Sequence, residues 1–359
     1  MLDLAIRKTL PEFKLEVAFR VDREIMAILG PSGCGKTMTL KCIAGLMLPD
    51  QGFIRLNQQI LFDSEQGINL PTRHRKIGFL FQNYALFPHL TVSDNIAFGI
   101  RHLPAAERRA RVEQLLPRMR LEGLGHRYPS ELSGGQQQRA ALARALAAEP
   151  EVLLLDEPFS ALDTIVKQRL AEELLEIQEY YRGHVLFVTH NLAEAYRLSS
   201  KMAVYEAGAI LQWGDRQSII ECPASKKVAR LTGMDNIFAA RITQIQGNRV
   251  QLALAGGNLT VYPENPGKIK VNQTVSAAIR AEYVRLAADE RENCLSARLL
   301  DCSEEVSSFS YRFNLEPAPD QVIIKAWVPK MAGPRLIPGG VYRLYLPPEK
   351  LVLIPEEGI

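Results

Sequence analysis

The chain has 359 residues, 47% hydrophobic and 23% charged, with a net charge of only +3. That composition fits a globular protein long enough for two domains, and the charge is too small to argue for a nucleic-acid partner. Five cysteines (Cys34, Cys42, Cys222, Cys294 and Cys302) show no CxxC or metal spacing, and no apolar run approaches the length of a membrane-crossing helix, so the expectation is a cytosolic protein with reduced thiols.

The first segment, MLDLAIRKTLPEFKLEV, alternates like a strand and lacks a signal-peptide core. The apolar run centred on Ile25 to Leu29 predicts a short buried strand, and TMTLKCIAGLM carries apolar groups at helical spacing. Between them lies GPSGCGKT, residues 30–37, which fits G-x-x-x-x-G-K-[ST] through Gly30, Gly35, Lys36 and Thr37. In a strand–loop–helix setting this octet is a phosphate-binding loop. Gly33 and Gly35 let backbone N–H groups come close to an anion, with Pro31, Ser32 and Cys34 completing the turn. The following helix offers its free N-terminal donors, Lys36 reaches the terminal phosphates, and the Thr37 hydroxyl binds Mg²⁺. A second element supplies the acids this chemistry needs. EVLLLDEP, residues 151–158, predicts a central parallel strand ending in Asp156, the candidate for holding Mg²⁺. Glu157 follows as the candidate for polarising the attacking water.

Two further stretches narrow the class: LSGGQQQR at 132–139, followed by the helical run AALARALAA, and FVTH at 187–190. Together with FQN around Gln82 and SALD at 160–163, these motifs stand in the order found in the nucleotide-binding subunits of ABC transporters, which the chain resembles over residues 1–230. The resemblance implies an α/β P-loop ATPase with a helical subdomain at about 83–145, using ATP and Mg²⁺. It implies that two chains stack head to tail in the ATP-bound state, each ATP lying between the phosphate loop of one and the signature Ser133, Gly134, Gly135 and Gln136 of the other. Those residues, at a helix N-terminus, make a second anion site. By the same resemblance Gln82 touches Mg²⁺ and the water, His190 contacts the γ-phosphate, and Asp163 signals across the dimer. The aromatic that stacks on adenine is less clear; only Phe13 offers itself ahead of the loop, with Leu10 as the alternative.

After Gln82 the stretch NYALFPHLTVSDNIAFGI carries Tyr84, Leu86, Phe87 and Leu90, part subdomain core and part groove for a helix of the membrane subunit, with Phe87 and Pro88 nearer the surface. The arginine-rich run RHLPAAERRARVEQLLPRMR reads as a solvated helix face. Near residue 230 helical periodicity gives way to alternation. RVQLAL and LTVYP flank AGGN, and SFSYRFNL and QVIIKAWVP flank EPAPD, predicting two hairpins. VSAAIRAEYVRLAAD (275–289) and VYRLYLPPEKLVLIPE (341–356) form a weak repeat of strand, acidic turn and strand. Residues 231–359 therefore predict an all-β domain of two small barrel halves, resembling the TOBE/MOP-like regulatory domain of importer ATPases, although IRAE at 279–282 stands where that family usually has IRPE.

The expected function is the ATP-hydrolysing subunit of an ABC importer, peripheral on the cytoplasmic membrane face. It would work with membrane permease subunits and, indirectly, an extracytoplasmic substrate-binding protein. The stretch LFDSEQGINLPTRHRKIGFLFQ and the short N-terminus resemble molybdate and tungstate importer ATPases, so molybdate or a related oxyanion is the expected cargo; sulfate, iron(III) and polyamines are the alternatives. A soluble ABC ATPase of DNA repair or translation is the other class, but the chain has one cassette and no long heptad run.

Overall fold

The computed structural model describes residues 1–160, 164–254, 256–263, 269–287, 292–317, 322–332 and 335–355. The chain forms two compact units, Met1–Arg216 and Gln217–Ile359.

The first unit begins with a hairpin of β1 (Leu2–Thr9) and β2 (Lys14–Val21). Its alternation sends Leu2, Leu4, Ile6, Leu15, Val17 and Phe19 into the core and the charged residues outward. There follow β3 (Ile25–Leu29), α1 (Lys36–Ala44), β4 (Gln51–Leu56), β5 (Gln59–Asp63), β6 (Ile68–Asn69) and β7 (Ile77–Leu80). Three helices come next, α2 (Val92–Ala97), α3 (Ala105–Arg118) and α4 (Gly134–Ala147). The unit ends with β8 (Val152–Asp156), α5 (Thr164–Tyr180), β9 (His184–Thr189), α6 (Leu192–Leu198), β10 (Lys201–Glu206) and β11 (Ala209–Asp215). One sheet takes the order β6-β5-β4-β1-β2-β11-β10-β3-β9-β8-β7.

The sheet has two characters. From β10 through β3, β9 and β8 to β7 neighbouring strands are parallel. All residues of β3, β8 and β9 are buried, because layers cover both faces of a parallel sheet, and their sequences are apolar except for Asp156, His184 and Thr189 at the strand ends. β1, β2, β4 and β5 pair antiparallel, and β1 and β2 alternate instead. The parallel order has a direct consequence for the site. The segments leaving β3, β9, β8 and β7 emerge side by side at one carboxyl edge, where open α/β sheets bind ligands.

Arg75 anchors the far end of α1. It is only 1% exposed. Nη1 donates to the carbonyls of Cys42 and Ile43 at 2.9 and 2.8 Å, Nε to Leu70 O at 2.8 Å, and Nη2 to Asn69 Oδ1 at 2.9 Å. A guanidinium thus satisfies carbonyls that a helix C-terminus leaves open. Arg75→Met is expected to lower the stability of this unit by about 3 kcal/mol, since two buried and two part-buried acceptors lose their donor. Urea unfolding reads this directly; an unchanged midpoint would remove Arg75 from the role.

The second unit opens with α7 (Arg216–Glu221) and α8 (Lys226–Leu231). Its strands are β12 (Asn236–Gln246), β13 (Arg249–Leu254), β14 (Gly257–Val261), β15 (Thr274–Ile279), β16 (Arg285–Leu286), β17 (Cys294–Glu304), β18 (Ser308–Leu315), β19 (Ile323–Pro329), β20 (Val341–Tyr345) and β21 (Val352–Pro355). Both predicted hairpins form, as β13–β14 and β18–β19. The two sheets run β14-β13-β12-β15-β21 and β19-β18-β17-β20-β16, so the halves match strand for strand except that each gives its last strand to the other. The predicted repeat lies at this exchange: β15 pairs with β21 (Val275↔Pro355) and β16 with β20 (Arg285↔Tyr345). Both sheets contribute to one core, including Ile242, Leu252, Val275, Leu299, Phe313 and Ile324.

A second repeat appears only with the structure in hand. DNIFAARI (235–242) and ENCLSARL (292–299) occupy equivalent places at the starts of β12 and β17. Buried Asn236 accepts from Lys325 N at 2.7 Å and donates to Lys325 O at 2.9 Å on β19. Buried Asn293 does the same to Thr260 on β14, at 2.6 and 2.7 Å. The preceding acids repeat the relation: Asp235 meets the Lys325 side chain at 3.2 Å, and Glu292 accepts from the Thr260 hydroxyl at 2.5 Å. Each half is therefore clamped to the other by the same pair of side chains.

Candidate nucleotide site

At the end of β3 the chain turns through residues 30–35 into α1. Gly35 is the N-cap with φ 102°, and a Cβ there would lie 2.8 Å from Leu15 Cδ1. A Cβ at Gly30 would lie 2.5 Å from the Tyr205 carbonyl oxygen. These positions accept glycine for steric reasons. No side chain caps the helix and its first turn holds no acid, which leaves the N-terminal donors and the positive dipole end to an incoming anion. Lys36 is 4% exposed, and its Nζ donates to the carbonyls of Gly30 and Pro31, each at 2.8 Å. The ammonium is thereby bent back over the loop. Pro31, Ser32 and Gly33 are exposed at the loop crest, while Cys34 is buried beneath it.

The neighbouring strand ends converge here. Thr37 Oγ1 donates to Asp156 Oδ1 at 2.7 Å, joining α1 to the end of β8. Burial pushes the Asp156 carboxyl above the ordinary carboxylate range; the Thr37 hydrogen bond opposes this and the adjacent Glu157 adds to it. Glu157 has φ 45°, a left-handed conformation costly for a residue with a Cβ. Its Oε2 accepts from Gln82 Nε2 at 3.2 Å, and its Oε1 lies 3.7 Å from His190 Nδ1. Gln82 follows β7 and His190 follows β9. The turn bearing His190 is fixed by Thr189, whose hydroxyl donates to Glu194 Oε2 at 2.5 Å, and by Asn191, which caps α6. Thr37 with Asp156, and Gln82 and His190 with Glu157, thus bring hydroxyl, carboxylate, amide and imidazole together, with Lys36 buried next to Thr37 at the start of α1. Oxygen donors at Thr37 and Asp156 suit a hard divalent cation.

Ser133, Gly134, Gly135 and Gln136 lie elsewhere on this unit. Ser133 caps α4: its hydroxyl accepts from Gln136 N at 3.3 Å, and Gln136 Oε1 accepts from Ser133 N at 2.9 Å. Ser133 and Gly134 are exposed, and among the described residues no hydrogen bond joins this segment to the phosphate loop of the same chain. Asp163 falls outside the described residues. Phe13, uncertain from the sequence, packs partly buried in the β1–β2 turn, with Cε2 3.3 Å from where a Gly35 Cβ would stand. It therefore flanks the phosphate loop.

The loop after Gln82 is held by two polar residues that the motifs do not include. Asn95 of α2 accepts from Phe87 N at 2.9 Å and donates to the carbonyls of Phe87, Leu90 and Thr91 at 3.0 to 3.1 Å. Arg144 of α4 donates to Ala85 O and Tyr84 O at 2.6 and 2.8 Å. Tyr84 is buried, Leu86, Phe87 and Leu90 are half-buried, and Pro88 is exposed. The Phe87 and Phe98 rings meet at a tilt of 35° with centroids 4.2 Å apart.

Comparison with known proteins identifies the family. The family described as ABC transporter matches residues 16–160. The spermidine/putrescine import ATP-binding protein PotA of Roseobacter denitrificans is 41% identical over 273 residues, covering 76% of this chain and 73% of that protein. The sulfate/thiosulfate import ATP-binding protein CysA of Synechocystis sp. is 47% identical over 231 residues, 64% of this chain and 62% of that protein. Among solved structures, the dimeric post-hydrolysis ATP-binding cassette MJ0796, bound to ADP and Pi, superposes with a TM-score of 0.52 at 29% identity, covering 60% of this chain and 99% of that one. With the strand-end site and these similarities together, the chain belongs to the ATP-binding proteins of the ABC transporter family.

Proposed function

We propose that this chain hydrolyses ATP to power an importer, with residues 1–230 as the nucleotide-binding domain and 231–359 as a regulatory domain. The observation that carries the reading is the linked set Thr37–Asp156 and Gln82–Glu157–His190 at four adjacent strand ends. Lys36 and the N–H groups of Gly30 to Thr37 hold the phosphates. Thr37, Asp156 and Gln82 would hold Mg²⁺, which neutralises phosphate charge and keeps Asp156 ionised. Glu157 accepts the proton of the attacking water while Gln82 orients it and His190 binds the γ-phosphate. The new P–O bond forms as the bond to the bridging oxygen breaks, giving ADP and Pi.

Ser133 to Gln136 close over the ATP of a second chain, which explains why Ser133 and Gly134 are exposed here, and Asp163 acts across that interface. Phe13 provides a face for adenine. The Tyr84–Leu90 loop, fixed by Asn95 and Arg144, receives a helix of the permease. No described helix is long and apolar enough to cross a membrane, and the chain is placed on the cytoplasmic face through that permease. An extracytoplasmic binding protein acts through the permease, and no nucleic acid is involved.

For cargo, the similarities favour polyamine and sulfate over molybdate. Polyamine stands first because the PotA match reaches further along both chains than the CysA match. Uptake of labelled putrescine, sulfate and molybdate by a strain lacking this gene tests the reading. Loss of putrescine uptake with sulfate and molybdate intact is the expected result. Selective loss of either oxyanion would overturn the polyamine assignment, and retention of all three would contradict every one of these cargo readings.

A further inference from the structure

A cavity of about 430 Å³ opens on the first unit between α3, the end of α5 and the starts of β8 and β9. It lies at the sheet edge opposite the phosphate loop, since these strands run from Glu151 and His184 at the cavity to Asp156 and His190 at the nucleotide site. Its size falls in the range of small-molecule sites. Its two acids are already compensated. Glu149 pairs with Arg111 at 3.5 Å, and Glu151 is held by Lys76 and Asn57 at 2.9 and 2.7 Å. Arg111 is likewise committed, to Glu107 at 3.2 Å and to Ala147 O at 3.0 Å.

Three cations in the wall remain. Arg23, Arg118 and Arg182 have no carboxylate within ion-pair distance among the described residues. Arg118 instead lies 5.0 Å over the Tyr180 ring. Tyr181 supplies a second aromatic surface, and a smaller cavity of about 250 Å³ shares Arg23, Tyr181 and Arg182 with the first. Uncompensated guanidinium groups gathered around a concave space favour an anion, and their planar fork matches a phosphate or carboxylate. The tyrosine faces favour a flat unsaturated ring beside it.

We propose that this cavity binds a small organic anion, with its acidic group on Arg118 and Arg182 and its ring against Tyr180 and Tyr181. The inference is independent of the nucleotide site. Isothermal titration of the full chain, saturated with Mg·ADP to keep other anions off the phosphate loop, uses phenyl phosphate, benzoate and inorganic phosphate as probes. At least one aromatic probe is expected to bind at a single saturable site, and the tighter of the two identifies the preferred acidic group. Inorganic phosphate, lacking a ring, is expected to bind at least about tenfold more weakly. Arg118→Ala is expected to weaken binding about tenfold; Arg182→Ala, at an exposed position, is the second variant, and melting curves report whether each is folded. No saturable binding of either aromatic probe, equal binding of inorganic phosphate, or unchanged affinity in both folded variants would overturn the site.

Discussion

Replacing Glu157 by Gln is expected to leave ATP binding intact and slow hydrolysis by about a hundredfold or more, the range that a positioned general base contributes. The side chain sits where two partners aim at it, Gln82 at 3.2 Å and His190 at 3.7 Å, on a backbone held at φ 45°. Glutamine has the same shape, so the strained turn and its packing survive. What it loses is the carboxylate able to take a proton from water. Two chains holding unhydrolysed ATP between them should then accumulate as a dimer. Phosphate release and sedimentation velocity with ATP check both halves of the expectation; a monomer turning over at the normal rate would remove Glu157 from the role.

Lys36→Ala is expected to reduce nucleotide affinity by about a hundredfold or more, because a charge-assisted contact to the terminal phosphates disappears from a buried position. The lysine is 4% exposed and folded back onto Gly30 O and Pro31 O, so its charge is concentrated over the loop rather than spread into solvent. Titration with a fluorescent ATP analogue measures the effect. Unchanged affinity in the folded variant would mean that the loop N–H groups alone carry binding.

Much of this site was legible in the sequence for a topological reason. Each part sits at the end of a short apolar strand, and a parallel sheet brings those ends to one edge without further instruction. Gly30 to Thr37 and Asp156 with Glu157 are therefore recognisable one strand at a time, whereas Gln82 and His190 entered only through the family resemblance. Residues whose partners lie far along the chain were not legible. Arg75 reads as one more charge in TRHRK, yet it binds carbonyls at the end of α1. Asn95 and Arg144 read as ordinary helix residues until the loop they hold is seen.

The β-rich unit shows the same division. Its hairpins followed from local alternation and turns, whereas the exchange of β16 and β21 depends on pairings some sixty residues apart in sequence, such as Arg285↔Tyr345. The repeat of 275–289 in 341–356 marked the strands involved but not their pairing, and the [DE]-N pairs at 235–236 and 292–293, which clamp β12 to β19 and β17 to β14, were spread too thinly among ordinary strand residues to stand out. Cargo is illegible for a different reason: the nucleotide motifs contact ATP, so their sequence carries no information about what crosses the membrane.

In the proposed mechanism each chain holds only half of each ATP site. The most direct measurement is a structure of the Glu157→Gln chain with Mg·ATP. The expected result places the γ-phosphate within hydrogen-bond distance of Lys36 of one chain and of Ser133 of the partner subunit. ATP enclosed by a single chain, with Ser133 of the partner subunit turned away from it, would show instead that one chain holds the whole site.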